Sequence, residues 1–211
     1  VIVDDCADLD AMIPALVKGG FYHSGQVCVS VQRVYAPEDM ATALAQAIAD
    51  KASRLKVGNA ILADTECGPL VNPNEVKRVE HWVNEAVTGG AQVLCGGQRL
   101  GDTTYAPTVL LNPPRDAKVS TQEVFGPVVC VYGTESLADA IEQANSLPVA
   151  FQAAVFTQKL KVAMRCVREI DATAVMVNDH TAFRVDWMPF AGRRQSGYGV
   201  GGIGPTMHDM T

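Results

Sequence analysis

The spacing of apolar residues divides the chain into short runs and helical stripes. Val1 to Val3 reads as the end of a strand. Leu9, Ile13, Leu16, Val17 and Phe21 then recur at helical spacing, behind Asp8 and Asp10, acids that suit the positive end of a helix dipole. Gly19-Gly20 reads as the stop of that helix. A strand-like run, Val29 to Ala36, follows, and Pro37-Glu38-Asp39 starts a second helix with Met40, Leu44, Ala45 and Ile48 on one face and an end near Leu55. Pro73 opens a third helix, with Val76, Val79, Trp82, Val83 and Ala86 as its stripe and Gly89-Gly90 as its end. Strands are predicted at Ala91–Cys95, Thr108–Leu111 and Val128–Tyr132. Ser136-Leu137-Ala138-Asp139 has the form of a helix cap, opening a helix to about Asn145. Ala153–Phe156 is a strand, and Lys159–Ile170 is a helix expected to point Leu160, Met164, Val167 and Ile170 inward. Thr173–Asn178 is a strand, and the rest is turn-rich. Strands alternating with helices predict an α/β fold of three layers, helices on both faces of a mostly parallel twisted sheet.

Composition narrows the class. The 211 residues are 48% hydrophobic and 19% charged, ordinary values for a globular protein able to bury its own core. The net charge is −6, and no basic cluster exceeds Arg193-Arg194, so nucleic acid is not an expected partner. No apolar run has the roughly 18 residues of a membrane span, so no membrane attachment is expected, and the widely spaced cysteines suit a reducing, cytoplasmic setting. The chain opens on Val1-Ile2-Val3-Asp4-Asp5, without an initiator Met or a signal-peptide layout, as a stretch of something longer would.

Six widely spaced cysteines without a C-x-x-C pair read as reduced thiols rather than as disulfides or a metal site. Cys28 stands apart. It follows the small-residue turn Ser24-Gly25 and precedes the Val29 run, at a junction of helix, turn and strand where a side chain is held firmly and remains accessible. A thiol so seated is either a nucleophile or a structural cysteine, and the pattern alone leaves both open. The segment Gly58 to Asn74 is long for a plain connection, a length that often signals function. Gly199-Val200-Gly201-Gly202-Ile203-Gly204 spells G-x-G-x-x-G, but a dinucleotide fingerprint needs a strand before it, a helix after it and an acid about 20 residues on. Here the run follows an irregular tail and the chain ends soon after it, so we set it aside.

Gly25-Gln26-Val27-Cys28 followed by Arg33 resembles the active-site signature of the NAD(P)-dependent aldehyde dehydrogenase superfamily. Further matches occur in that family's order: Gly68-Pro69-Leu70, Pro107-Thr108-Val109-Leu110, Glu123-Val124-Phe125-Gly126-Pro127-Val128, Ala144-Asn145, Val177-Asn178, Pro189-Phe190 and Gln195-Ser196-Gly197. The resemblance spans the chain. It implies a catalytic domain over residues 1–195 and a tail over 196–211 leading to an oligomerisation segment. It also implies that the general-base glutamate, the oxyanion asparagine and most of the cofactor-binding domain lie outside this chain, so that residues 1–211 alone are expected to be inactive.

The resemblance assigns roles to residues. Cys28 becomes the catalytic nucleophile, its backbone N–H a donor to the oxyanion. Glu123 and Phe125 become the cofactor contacts, to the ribose hydroxyls and the nicotinamide end of NAD or NADP. Asn178 becomes a structural or substrate-contacting residue. The loop from Asp179 to Asp186 lines the aldehyde entrance in relatives, which makes His180 and Arg184 candidate substrate contacts, Arg through its two-pronged donor fork. Cys6, Cys67, Cys95, Cys130 and Cys166 stay structural. The expected activity is oxidation of a small aldehyde to a carboxylic acid through a thioester on Cys28, in a homodimer or homotetramer of the full-length protein. Two alternatives are a coenzyme A-acylating semialdehyde-type dehydrogenase and a non-catalytic structural relative. Val27 is apolar where some relatives that handle phosphorylated aldehydes place arginine, which weakens a phosphate reading. Ala191 and Val149-Ala150 also depart from the family pattern.

Overall fold

A computed structural model describes all of residues 1–211. Strands β1 (Ile2–Val3), β2 (Arg33–Pro37), β3 (Gln92–Cys95), β4 (Thr108–Leu111), β5 (Val128–Thr134), β7 (Gln152–Phe156) and β8 (Ala174–Val177) form one sheet; β6 (Val149–Ala150) lies outside it. The order is β3-β4-β5-β2-β1-β7-β8, parallel throughout except for β3 against β4. Helices α1 (Leu9–Phe21) and α2 (Glu38–Ala52) cover one face; α3 (Pro73–Thr88), the single-turn α4 (Lys118–Thr121), α5 (Leu137–Asn145) and α6 (Leu160–Glu169) cover the other. This is the three-layer α/β class that the patterning predicts. No helix is long and apolar enough to cross a membrane.

Strand alternation builds two cores. In β5, Val129 and Val131 point towards Met12, Leu16, Leu44 and Ile48 of α1 and α2. Cys130 and Tyr132, one residue out of phase, point towards Val76, Val79 and Val83 of α3. Because both faces are covered, the strands read as continuous apolar runs rather than as alternating ones.

Four expectations are corrected. Helix α1 does not stop at Gly19-Gly20 but continues through both glycines, which are buried. A Cβ on Gly19 would lie 2.8 Å from Val31 Cγ2, and one on Gly20 would press on Val129. These glycines serve close helix–sheet approach, and the helix ends where His23 (φ 49°), Ser24 (φ 57°) and Gly25 (φ 70°) turn left-handed. Strand β2 starts at Arg33 rather than Val29, because Val29 belongs to a turn closed by Ser30 N–H donating to Val27 C=O at 3.0 Å.

In α6 the inward residues are Ala163 and Cys166, while Leu160, Met164 and Val167 are 77%, 46% and 44% exposed. The helix lies on the sheet through small side chains, so the bulkier stripe, roughly 90° further round at 100° per residue, faces out. Truncating Leu160 to Ala is therefore expected to cost less than about 0.5 kcal/mol, against about 3 kcal/mol for Leu110→Ala in the core. Urea denaturation compares the two, and an equal loss would place the α6 stripe inside. Finally, the tail is not irregular. Strand β9 (Phe190–Ala191) pairs with β11 (Val200–Gly201), β10 (Arg193–Arg194) pairs with β6, and α7 (Ile203–Asp209) closes the chain. A strand thus lies inside the G-x-G-x-x-G run and a short helix follows it, but β11 is antiparallel to β9 and enters no β-α-β unit.

Candidate active site

The left-handed residues after α1 swing the chain into the turn Val27–Ser30, with Cys28 at its first central position and exposed. The Cys28 backbone N–H has no hydrogen-bond partner within the chain. Two side chains before the turn tie it down. Ser24 Oγ donates to Gly68 C=O at 2.7 Å, and the Gln26 amide donates to Pro69 C=O at 3.2 Å and accepts from Val71 N–H at 2.9 Å. The long Gly58–Asn74 loop is therefore the support of the cysteine turn. Behind it, Thr181 Oγ1 donates to Val29 C=O at 2.6 Å.

Glu123 and Phe125 meet Cys28 across a narrow cleft also lined by Val27, Ser30 and Gln32. Their segment is held from two sides. The Gln32 amide donates to Val119 C=O (2.9 Å) and Gln122 C=O (2.7 Å) and accepts from Val124 N–H (3.0 Å). Arg78 donates to Val124 C=O at 2.6 Å while its guanidinium lies 4.5 Å over the Trp82 ring. Phe125 occupies the left-handed region at φ 45°, a strained conformation that persists only when its surroundings impose it. Phe125 is 38% exposed, and the Glu123 carboxylate makes no hydrogen bond or ion pair. Desolvation in the cleft raises the Glu123 carboxyl above its usual value, and the Arg78 charge opposes the rise.

The three candidate substrate residues are not brought together. Asn178 has its amide committed to Thr157, accepting from its N–H at 2.8 Å and donating to its C=O at 3.0 Å, so it braces the β7–β8 end. His180 packs against Gly19 and accepts from Ala182 N–H through Nδ1 at 3.1 Å; burial holds it below the usual histidine range. Arg184 stacks 4.4 Å from the Phe190 ring and lines a separate open cavity of about 440 Å³ with Asp186, Ile203, Thr206, Met207 and Met210.

The other thiols differ in kind. Cys67, Cys130 and Cys166 are buried and Cys6 and Cys95 half-buried. Burial pushes Cys95 and Cys166 up to about 11 and Cys130 to about 12, leaving them protonated at neutral pH. Substoichiometric iodoacetamide near neutral pH should label Cys28 first, as peptide mass spectrometry would show. Equal labelling of several thiols would count against its accessibility.

Pattern reading missed Ser24, Gln26, Gln32 and Thr181, whose partners lie 43 to 152 positions away in sequence. The only available signal was that Gln26 and Gln32 bracket the cysteine.

Comparison with known proteins shows the family to which the chain belongs. The family model described as "Aldehyde dehydrogenase family" matches residues 1–211. The 3-sulfolactaldehyde dehydrogenase of Priestia megaterium is 40% identical over 210 residues, covering 100% of this chain and 44% of the relative. Aspartate-semialdehyde dehydrogenase 1 of Pseudomonas canavaninivorans is 36% identical, again over 100% of this chain and 44% of its own length. Among solved structures, the Methanocaldococcus jannaschii glyceraldehyde-3-phosphate dehydrogenase complexed with NADP superposes with a TM-score of 0.94 at 33% identity, over 99% of this chain and 45% of its own. The Physcomitrella patens aldehyde dehydrogenase 21, in complex with the reaction product succinate, gives 0.94 at 34% identity, over 99% and 44%. The chain thus spans under half the length of the relatives it matches, and over all of its 211 residues it belongs to the aldehyde dehydrogenase family.

Proposed function

We propose that this chain carries the nucleophile and the nicotinamide-side contacts of an NAD(P)-dependent aldehyde dehydrogenase that oxidises a small aldehyde to its acid. The observation that carries the reading is the meeting of Cys28, Glu123 and Phe125 in one cleft. The donor set fits the cofactor: an unpaired carboxylate suits ribose hydroxyl donors, and an exposed aromatic face suits the ring end. Bound NAD(P)+ would supply a hydride acceptor at the cleft. The short aldehydes named for the relatives, sulfolactaldehyde and aspartate semialdehyde, support a small substrate.

In this reading the Cys28 thiolate adds to the aldehyde carbonyl, forming an S–C bond and an oxyanion. The free Cys28 N–H donates to that oxyanion where charge develops. After oxidation the acyl group remains on Cys28 as a thioester, and water opens the C–S bond, returning the thiol and releasing the acid. Glu123 is kept for the cofactor, not for activating water. The full-length protein is proposed to work as a homodimer or homotetramer in the cytoplasm.

The test is a panel of short aldehydes with NAD+ and NADP+ on the enzyme containing this chain, with and without coenzyme A. Acid production with an acyl adduct on Cys28, seen by intact-mass spectrometry after quenching, is expected. Turnover that yields an acyl-coenzyme A would favour the acylating alternative, and no turnover with any aldehyde would sink both.

A further inference from the structure

The side chain of Gln32 is saturated by one short stretch of backbone. Both of its amide hydrogens go to carbonyls, of Val119 and Gln122, and its oxygen takes the Val124 N–H. Its own carbonyl accepts from Cys130 N–H of β5 at 2.8 Å, so the bracket stands on the central sheet. The stretch it grips ends on either side of Glu123 and leads into left-handed Phe125. Four residues before Gln32 is Cys28. One strand entrance therefore holds both halves of the cleft.

We propose that Gln32 is a positioning residue for coenzyme binding, fixing the Glu123–Phe125 segment in its strained, cofactor-facing form. The inference rests on the reading of Glu123 and Phe125 as coenzyme contacts. Only a neutral amide supplies two donors and one acceptor in this geometry. Methionine has the same reach but makes none of the three bonds, and it leaves the Val119 and Gln122 carbonyls and the Val124 N–H to find other partners. Glutamate keeps the acceptor, loses both donors and sets a charged oxygen against two carbonyls. Protonation of that glutamate would return one donor.

The experiment compares wild type, Gln32→Met, Gln32→Glu and Glu123→Ala in the enzyme containing this chain. It measures NADH and NADPH binding by nicotinamide fluorescence, amide hydrogen exchange at Val124, Cys28 alkylation rate and melting temperature. Gln32→Met should weaken coenzyme binding about tenfold or more and speed Val124 exchange, with Cys28 alkylation changed less than about threefold. Gln32→Glu should bind coenzyme better as pH falls, relative to wild type at each pH, a signature that general loss of packing does not produce. Coenzyme affinity within twofold of wild type in Gln32→Met, while Glu123→Ala weakens it, would overturn the positioning role. If neither variant affects coenzyme binding, the reading of Glu123 fails and the proposal falls with it.

Discussion

Replacing Cys28 with Ala should lower aldehyde oxidation at least about a thousandfold, because the variant has no group to form the S–C bond on which every later step depends. The fold should not notice. The Cys28 side chain is exposed, so melting temperature should stay within the shift of a surface change, about 0.5 kcal/mol. Binding of the reduced coenzyme, NADH or NADPH, should also survive, because the glutamate and phenylalanine across the cleft lie on another segment, held by Gln32 and Arg78. Steady-state kinetics, coenzyme titration and a thermal melt on one preparation read all three. Retention of a tenth of wild-type turnover would show that the chemistry does not pass through Cys28. Loss of activity together with collapse of the melt would show a structural cysteine instead.

How far the sequence reveals this site depends on the range of the interaction that sets each feature. Helices α2 and α3 are legible because their start signals are local: Pro37-Glu38-Asp39 for one, Asn72-Pro73 for the other, where the Asn72 side chain caps Asn74 and Glu75 N–H. The inner strands β4 and β5 are legible because both of their faces are buried, which leaves apolar runs that few helices mimic. Gly19-Gly20 misled because a glycine pair has the same letters whether it ends a helix or lets it approach a sheet, and only Val31 and Val129 decide between them. The α6 stripe misled because moment and burial differ: the helix rests on Ala163 and Cys166, too small to dominate an apolar pattern.

Cys28 and Glu123-Phe125 were legible as candidates because those residues form matchable motifs, and the structure lines one cleft with them. Their meeting was not legible without the family resemblance, since β2 and β5 pair across 97 positions in sequence, Arg33 facing Cys130. The brackets through Ser24, Gln26 and Gln32 also reach partners 43 to 92 positions away and leave no local trace. The loop at His180 and Arg184 shows the converse. Residues near one another in sequence are carried to different places, one against α1 and the other beside α7.

The joint between the two halves of the cleft is Gly25 against Gly126, and Gly25→Ala should break it. Gly25 sits at φ +70°, where an alanine is strained by about 1–2 kcal/mol. Its added methyl would also lie 2.6 Å from the Gly126 carbonyl carbon and closer still to the oxygen. That neighbour is backbone, which cannot rotate aside as a side chain does, so overpacking adds a further cost of about 1–3 kcal/mol. A total near 3 kcal/mol corresponds to a melting temperature lower by roughly 6–12 °C for a chain of this size. Relief comes by parting the Cys28 turn from the Glu123–Phe125 segment, and a shift of about 1 Å between reacting groups can cost on the order of a hundredfold in rate. The variant should therefore lose activity well beyond its loss of folded fraction at 25 °C. Gly199→Ala is the control, since a Cβ there meets nothing within 4 Å and its φ lies outside the left-handed range. A Gly25→Ala enzyme with wild-type turnover and melt would mean that the two segments tolerate separation, and the contact would then be incidental to the cleft.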